Sequence, residues 1–199
     1  MRVFKNPKNQ RGMTLIEIMA VVVIIGIIIA IVALAMRDSA DGARAKLNLR
    51  VATNIVSTIK QVANSCGTST SATASPVPAS GRSMLDVVFM GQTAVLPTYQ
   101  ACYGTAGVRP PRESVTKNGN SWQVGTQPIS ITGGAGQVYA VQFQLVQEET
   151  ALAMAKTYDA SLQALAASDN TSDILQYSSA TNGTRTAVSY THLTLPTKR

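Results

Sequence analysis

Apolar residues fill the chain from Ile18 to Met36 (IMAVVVIIGIIIAIVALAM), nineteen positions without one charged side chain. A helix rises 1.5 Å per residue, so about 20 apolar residues cross a bilayer core about 30 Å thick. β-Branched residues dominate the run, and they are weak helix formers in water. In lipid the backbone must satisfy its own hydrogen bonds, so a helix is expected regardless. Beyond Met36 the pattern becomes one-sided. Ala43, Leu47, Val51, Ile55, Ile59 and Val62 recur at spacings of three and four, while Arg44, Asn48, Lys60 and Gln61 take other positions. That periodicity predicts an amphipathic helix with one buried face, ending at Cys66. Between the two patterns, Asp38-Ser39-Ala40-Asp41-Gly42 invites a local bend, or a loop before a separate short helix.

The remaining pattern is mixed. Gly67 to Gly81 is small, polar and proline-containing, which reads as a loop. Ser83 to Gly91 is a short buried helix or strand, with Ser83 and Asp86 spaced as a capping box. Tyr99 to Lys117 contains Pro110-Pro111 and reads as irregular. Strands are expected at Ser121–Val124, at Pro128–Ile131 and, most strongly, at Gln137–Val146, where Tyr139, Val141, Phe143 and Leu145 alternate onto one face. Gly133-Gly134-Ala135-Gly136 is a turn; with no lysine or helix after it, it does not suit a phosphate loop. Glu148 to Ala167 reads as an amphipathic helix with Leu152, Ala155, Tyr158, Leu162 and Leu165 on one side. The fold class expected is α+β.

Charge changes this picture little. The formal charge of +7 suggests an anionic partner. However, Arg2, Lys5, Lys8 and Arg11 crowd the first twelve residues, and Lys198 and Arg199 are the last two. Without them eleven basic residues face ten acidic ones, so no nucleic-acid partner is expected.

The amino end carries more information. A basic flank before the apolar run and a mixed one after it (Arg37, Asp38, Asp41) put the amino end in the cytoplasm and the body outside. The run fits three readings: a signal peptide cut near Ala33-Leu34-Ala35, an uncleaved anchor, or a segment cut before the run, which then stays with the mature protein. Signal-peptide apolar regions are about 7–15 residues, shorter than this one. The third reading also explains Arg11-Gly12-Met13-Thr14-Leu15-Ile16-Glu17. Glu17 is a carboxylate in lipid-compatible sequence, which costs about 2.5–3.5 kcal/mol on insertion scales and marks a functional site. A cut between Gly12 and Met13 would create an α-amino group four residues before it.

Gly12-Met13-Thr14-Leu15-Ile16-Glu17, between a basic leader and a long apolar helix, resembles the type IV prepilin signature. In that family a membrane aspartyl peptidase cuts after the glycine and methylates the new amino terminus. The glutamate five residues into the mature chain pairs with the amine of an adjacent subunit. These roles fall on Gly12, Met13 and Glu17. A mature chain beginning with Met, and a body larger than the smallest pilins, point to the type IVb branch. The resemblance implies a long amino-terminal helix packed on an antiparallel sheet, and a subunit that is a homo-oligomer in a helical filament. Its partners would be the prepilin peptidase, the pilus assembly machinery and the inner membrane, before export to an extracellular pilus for adhesion, aggregation, conjugation or motility. A type II secretion pseudopilin, a minor pilin and a single-pass anchored adhesin are the alternatives.

The domains expected are a cleaved leader at 1–12, a filament-core helix at 13–36, its amphipathic continuation at 37–66, a head at 67–187 and a foreign tail at 188–199. The tail reads VSYTHLTLPT from Val188, which one frame of a transposon-based sequencing adapter encodes. His192, the one histidine, lies in it. Without a histidine and without paired carboxylates, no enzyme, metal or cofactor is expected. Cys66 and Cys102 suit an oxidising compartment and a structural disulfide, closing a loop of about 37 residues and adding about 2–4 kcal/mol. Many pilins place their disulfide nearer the carboxy end.

Overall fold

One helix carries both apolar patterns. In the computed structural model, which describes residues 15–68, 75–108, 114–132, 139–169 and 175–191, α1 runs from Leu15 to Cys66. Residues 38–42 stay helical, so the reading of a loop and a separate helix is excluded. The chain divides into two units, Met1–Ala40 and Asp41–Arg199, and α1 contributes to each.

In the first unit, every residue from Leu15 to Ala33 is exposed. In the second, α1 buries Ala45, Asn48, Val51, Ala52, Ile55, Val56, Ile59, Val62 and Ala63. This corrects the expected stripe at three positions. Ala43 is exposed and Leu47 only half-buried, while Asn48, assigned to the polar side, is 1% exposed. The Asn48 Nδ2 donates to Gln127 Oε1 at 2.8 Å, and this partner makes its burial tolerable.

The head is built on a six-stranded antiparallel sheet, the α+β class expected. Its strands are β1 (Val115–Asn118), β2 (Ser121–Val124), β3 (Gln127–Thr132), β4 (Tyr139–Gln147), β5 (Leu175–Tyr177) and β6 (Thr184–Thr191), in the order β1-β2-β3-β4-β6-β5. One register row crosses five of them: Trp122 opposite Ile129, Ile129 opposite Phe143, Phe143 opposite Ala187, and Ala187 opposite Tyr177. All five side chains are buried, and Trp122, Ile129, Phe143 and Ala187 join Ile55, Ile59 and Val62 in one hydrophobic core.

Short helices edge the sheet. α2 (Met84–Met90) is closed by the capping box: Ser83 Oγ accepts from the Asp86 amide, and the Ser83 amide donates to Asp86 Oδ2 at 2.9 Å. α3 (Gln100–Thr105) lies in the stretch read as irregular. It follows a 3-10 turn, Pro97–Tyr99, that begins with proline, a favourable first helical residue.

Two further expectations fail. The helix expected over 148–167 stops early: α4 covers Glu148–Lys156. Asp159 Oδ1 accepts from the Ser161 amide at 2.9 Å and from its hydroxyl at 2.6 Å, an alternative to helical hydrogen bonding. Ala155 is buried and Leu152 half-buried in α4, while Tyr158 is exposed beyond it; Leu162 and Leu165 pack against the core from outside any helix. In β4 the alternation breaks after Phe143. Val146, not Leu145, is buried, because a bulge shifts the register between Phe143 and Val146 and leaves Leu145 at φ 56° and 60% exposed. The expected turn at 133–136 lies outside the described residues. β6 continues to Thr191, four residues into the stretch read as foreign.

Candidate functional site

The residues singled out at the amino end fall on both sides of the description's limit. Gly12 and Met13 lie outside the described residues. Glu17 lies in α1, two residues after the first described residue, Leu15. It is exposed, as are Ile16 at 75% and Ile18 at 51% beside it.

From Ile18 to Ala33 the helix is apolar all round. Leu15–Ala33 is long and apolar enough to cross a membrane. Its nineteen residues span about 28 Å along the axis, close to a bilayer core. An apolar face on all sides belongs to a helix whose surroundings are lipid or other helices. At Gly26 an added Cβ would meet nothing within 4 Å, so its own chain does not require the glycine.

In the head, polar chemistry serves to fasten elements. A disulfide joins Cys66, the last residue of α1, to Cys102 in α3, their Cα atoms 5.1 Å apart. It ties the end of the long helix to the segment that precedes the sheet. Asp86 is the second fastening. Burial raises its pKa, but hydrogen bonds outweigh that effect: Lys117 Nζ at 2.6 Å, the Ser83 amide and hydroxyl, and Trp122 Nε1 at 3.2 Å hold the carboxyl at about 2. One side chain thereby caps α2 and anchors β1 and β2. Arg185 is the third. Its Nη1 donates to the carbonyls of Ala166, Ala167 and Ser178 at 2.9–3.1 Å, and its Nη2 reaches Glu148 Oε1 at 2.6 Å. It secures the strap after α4 to the sheet.

The sequence shows the first half of the Asp86 fastening through its capping spacing. Lys117, Trp122 and the Arg185 clamp carry no local signal, since their partners are 31, 36 and 7–37 residues away. Among the described residues no group of three or more histidine, cysteine, aspartate or glutamate side chains comes together to hold a metal. His192 lies outside them.

Comparison with known proteins bears on the amino end alone. A family model described as the prokaryotic N-terminal methylation motif matches residues 7–33. The matched stretch runs from the basic leader through Gly12, Met13 and Glu17 to the end of the apolar span. No curated protein and no solved structure matches the chain.

Proposed function

We propose that this chain, which carries the amino-terminal signal of type IV pilin-like precursors, is a type IV pilin subunit made as a membrane-anchored precursor and polymerised into an extracellular filament. The observation that carries the proposal is the coincidence of the methylation motif with a helix whose whole apolar circumference is exposed in the single chain. Such a surface has two stable environments, a bilayer and a bundle of like helices. The subunit passes from the first to the second.

The basic leader, 1–12, holds the amino end in the cytoplasm. The prepilin peptidase cuts between Gly12 and Met13 and methylates the Met13 amine, which keeps its positive charge. Subunits then leave the inner membrane through the pilus assembly machinery as residues 13–36 bundle into the filament core. There Glu17 pairs with the Met13 amine of a neighbour. Within an apolar bundle an unmatched carboxylate is costly, and breaking a buried pair costs about 3–5 kcal/mol. Only an axial register that brings amine and carboxylate together avoids that cost. Met13 as first mature residue and the size of the head support the type IVb branch.

Mass spectrometry of the mature amino terminus tests the processing step; a chain that begins at Met1, or after Ala35, sinks the proposal. Glu17→Ala is expected to be processed normally and to yield few or no filaments. Normal filament yield in that variant would reject the pairing. A wild-type chain that is processed but forms only short periplasmic assemblies would instead assign it to the pseudopilins of a secretion machine.

A further inference from the structure

A cavity of about 340 Å3 opens in the head where α1 meets the turn between β2 and β3 and the bulge of β4. Leu47, Val124 and Leu145 give it apolar walls, and Arg44 stands among them. Asn48 and Gln127 line it too, although each is more than nine-tenths buried. The hydrogen bond from Asn48 Nδ2 to Gln127 Oε1 uses one group of each amide. Asn48 Oδ1, an acceptor, and Gln127 Nε2, a donor, have no hydrogen-bond partner among the described residues. Neither is sealed away from solvent, as the unpartnered Arg185 Nε and Thr68 Oγ1 are. The cavity therefore offers one unspent donor and one unspent acceptor between apolar walls. Leu145 is an independent sign at the same place. It holds a left-handed backbone at φ 56° while exposed, and strain of this kind collects where a ligand or partner is held.

The complement of such a lining is an apolar ring ending in a group that both donates and accepts. A phenol has this form: its ring packs on leucine, its face attracts a cation such as Arg44, and its hydroxyl serves Asn48 Oδ1 and Gln127 Nε2 together. The chain itself presents one. Tyr158, just beyond α4, is 49% exposed and does not line the cavity of its own chain. Beyond Met36, Tyr158 and Leu145 are the large apolar side chains left exposed among the described residues. We propose that Tyr158 of one copy inserts its ring into this cavity of a second copy, against Leu47, Val124 and Leu145, with its hydroxyl on Asn48 and Gln127. Knob and cavity are different surfaces of one molecule. The contact is therefore heterologous and propagates from copy to copy, which is the symmetry of an open filament and not of a closed dimer. The inference rests on the filament reading and deepens it by naming a head-level contact between subunits.

The test uses the full chain in detergent micelles, with self-association followed by sedimentation equilibrium. Every variant keeps the apolar helix, so its contribution cancels in the comparison. Tyr158→Ala removes the knob and Leu145→Asn removes a wall of the cavity. Each should weaken association about tenfold. Tyr158→Phe keeps the ring but not the hydroxyl, and should fall between wild type and Tyr158→Ala. An equimolar mixture of Tyr158→Ala and Leu145→Asn should form pairs and nothing larger, because the first has a cavity but no knob and the second a knob but no intact cavity. Near-ultraviolet circular dichroism and an intact Cys66–Cys102 bridge check folding. A monomeric wild type, undiminished association in Tyr158→Ala or Leu145→Asn, a Tyr158→Phe variant equal to wild type, or a mixture that forms no pairs overturns the proposal. Cleavage at Gly12 is not read in this experiment. The expected pattern in a chain never cut at Gly12 would therefore keep the contact and reject the pilin reading. Correct cleavage, with filaments formed equally well by Tyr158→Ala, would keep the pilin reading and reject the contact.

Discussion

Isoleucine does opposite things in two stretches of one helix. Ile24 is 56% exposed, whereas Ile55 is fully buried. Their local propensities are identical, so the difference lies in the width of the apolar face. Around Ile24 every direction is apolar. Around Ile55 an apolar half is backed by Lys46, Arg50, Thr53 and Ser57. A one-sided helix completes its burial within its own chain. An all-apolar helix cannot, and must obtain its surroundings from lipid or from other molecules. The pattern itself thus separates what the chain buries alone from what it leaves to its surroundings.

The largest effect that separates the two stretches is a truncation made in each. Phe143→Ala in the head removes a fully buried ring from the centre of the register row and is expected to cost about 3–5 kcal/mol. Ile24→Ala should leave the unfolding midpoint of the head unchanged, because its side chain is exposed in the single chain. Denaturant titrations read by Trp122 fluorescence in micelles measure both. A lowered head midpoint in Ile24→Ala would show that the apolar helix is part of the folding unit, and the comparison would break.

What could be read from the sequence follows the same line. The apolar run, Glu17 and the Ser83–Asp86 cap are local signals, set by residues within a turn or two of one another. The order of strands β2, β3 and β4 was visible in alternation and turns. Strands β1 and β5 were not: β1 follows Pro110-Pro111 in a stretch that reads as irregular, and three residues give β5 too little pattern. Asn48 was misplaced because a polar residue on a helix reads as solvent-facing until its partner is known, and Gln127 is 79 residues away. The helix end at Lys156 was missed because the Asp159–Ser161 turn competes with helix by hydrogen bonds that the apolar spacing of Leu162 and Leu165 does not reveal.

The acid that the head matches for itself is Asp86, satisfied within its own chain by Lys117, Ser83 and Trp122. The folded-state pKa of Asp86, about 2, lies below the ordinary 3.8. Its contribution is therefore complete above pH 4 to 5 and is lost as pH falls through the folded value. By linkage it amounts to about 2 kcal/mol. Asp86→Asn should lower head stability by that order at pH 7 and flatten the acid limb of the stability curve between about pH 4 and 2. An acid limb as steep as in the wild type would assign the loss to other carboxylates.

The smallest effect comes from the place where the head departs from its own pattern. Alternation along β4 assigns Leu145 to the buried face with Val141 and Phe143. The bulge inserts one extra residue, Val146 takes the buried place opposite Arg185, and Leu145 is left exposed in the left-handed region. A side chain with a Cβ carries a penalty of roughly 1–2 kcal/mol there, and asparagine is among the residues that bear it best. Leu145 recovers little of that cost through packing, since 60% of it faces solvent. Leu145→Asn should accordingly raise head stability by about 0.5–1 kcal/mol. If the substitution destabilises the head instead, the leucine contributes packing that its exposure does not show. The bulge would then belong to the core that Phe143 anchors, and the outward turn of an apolar residue would no longer set this part of the head apart.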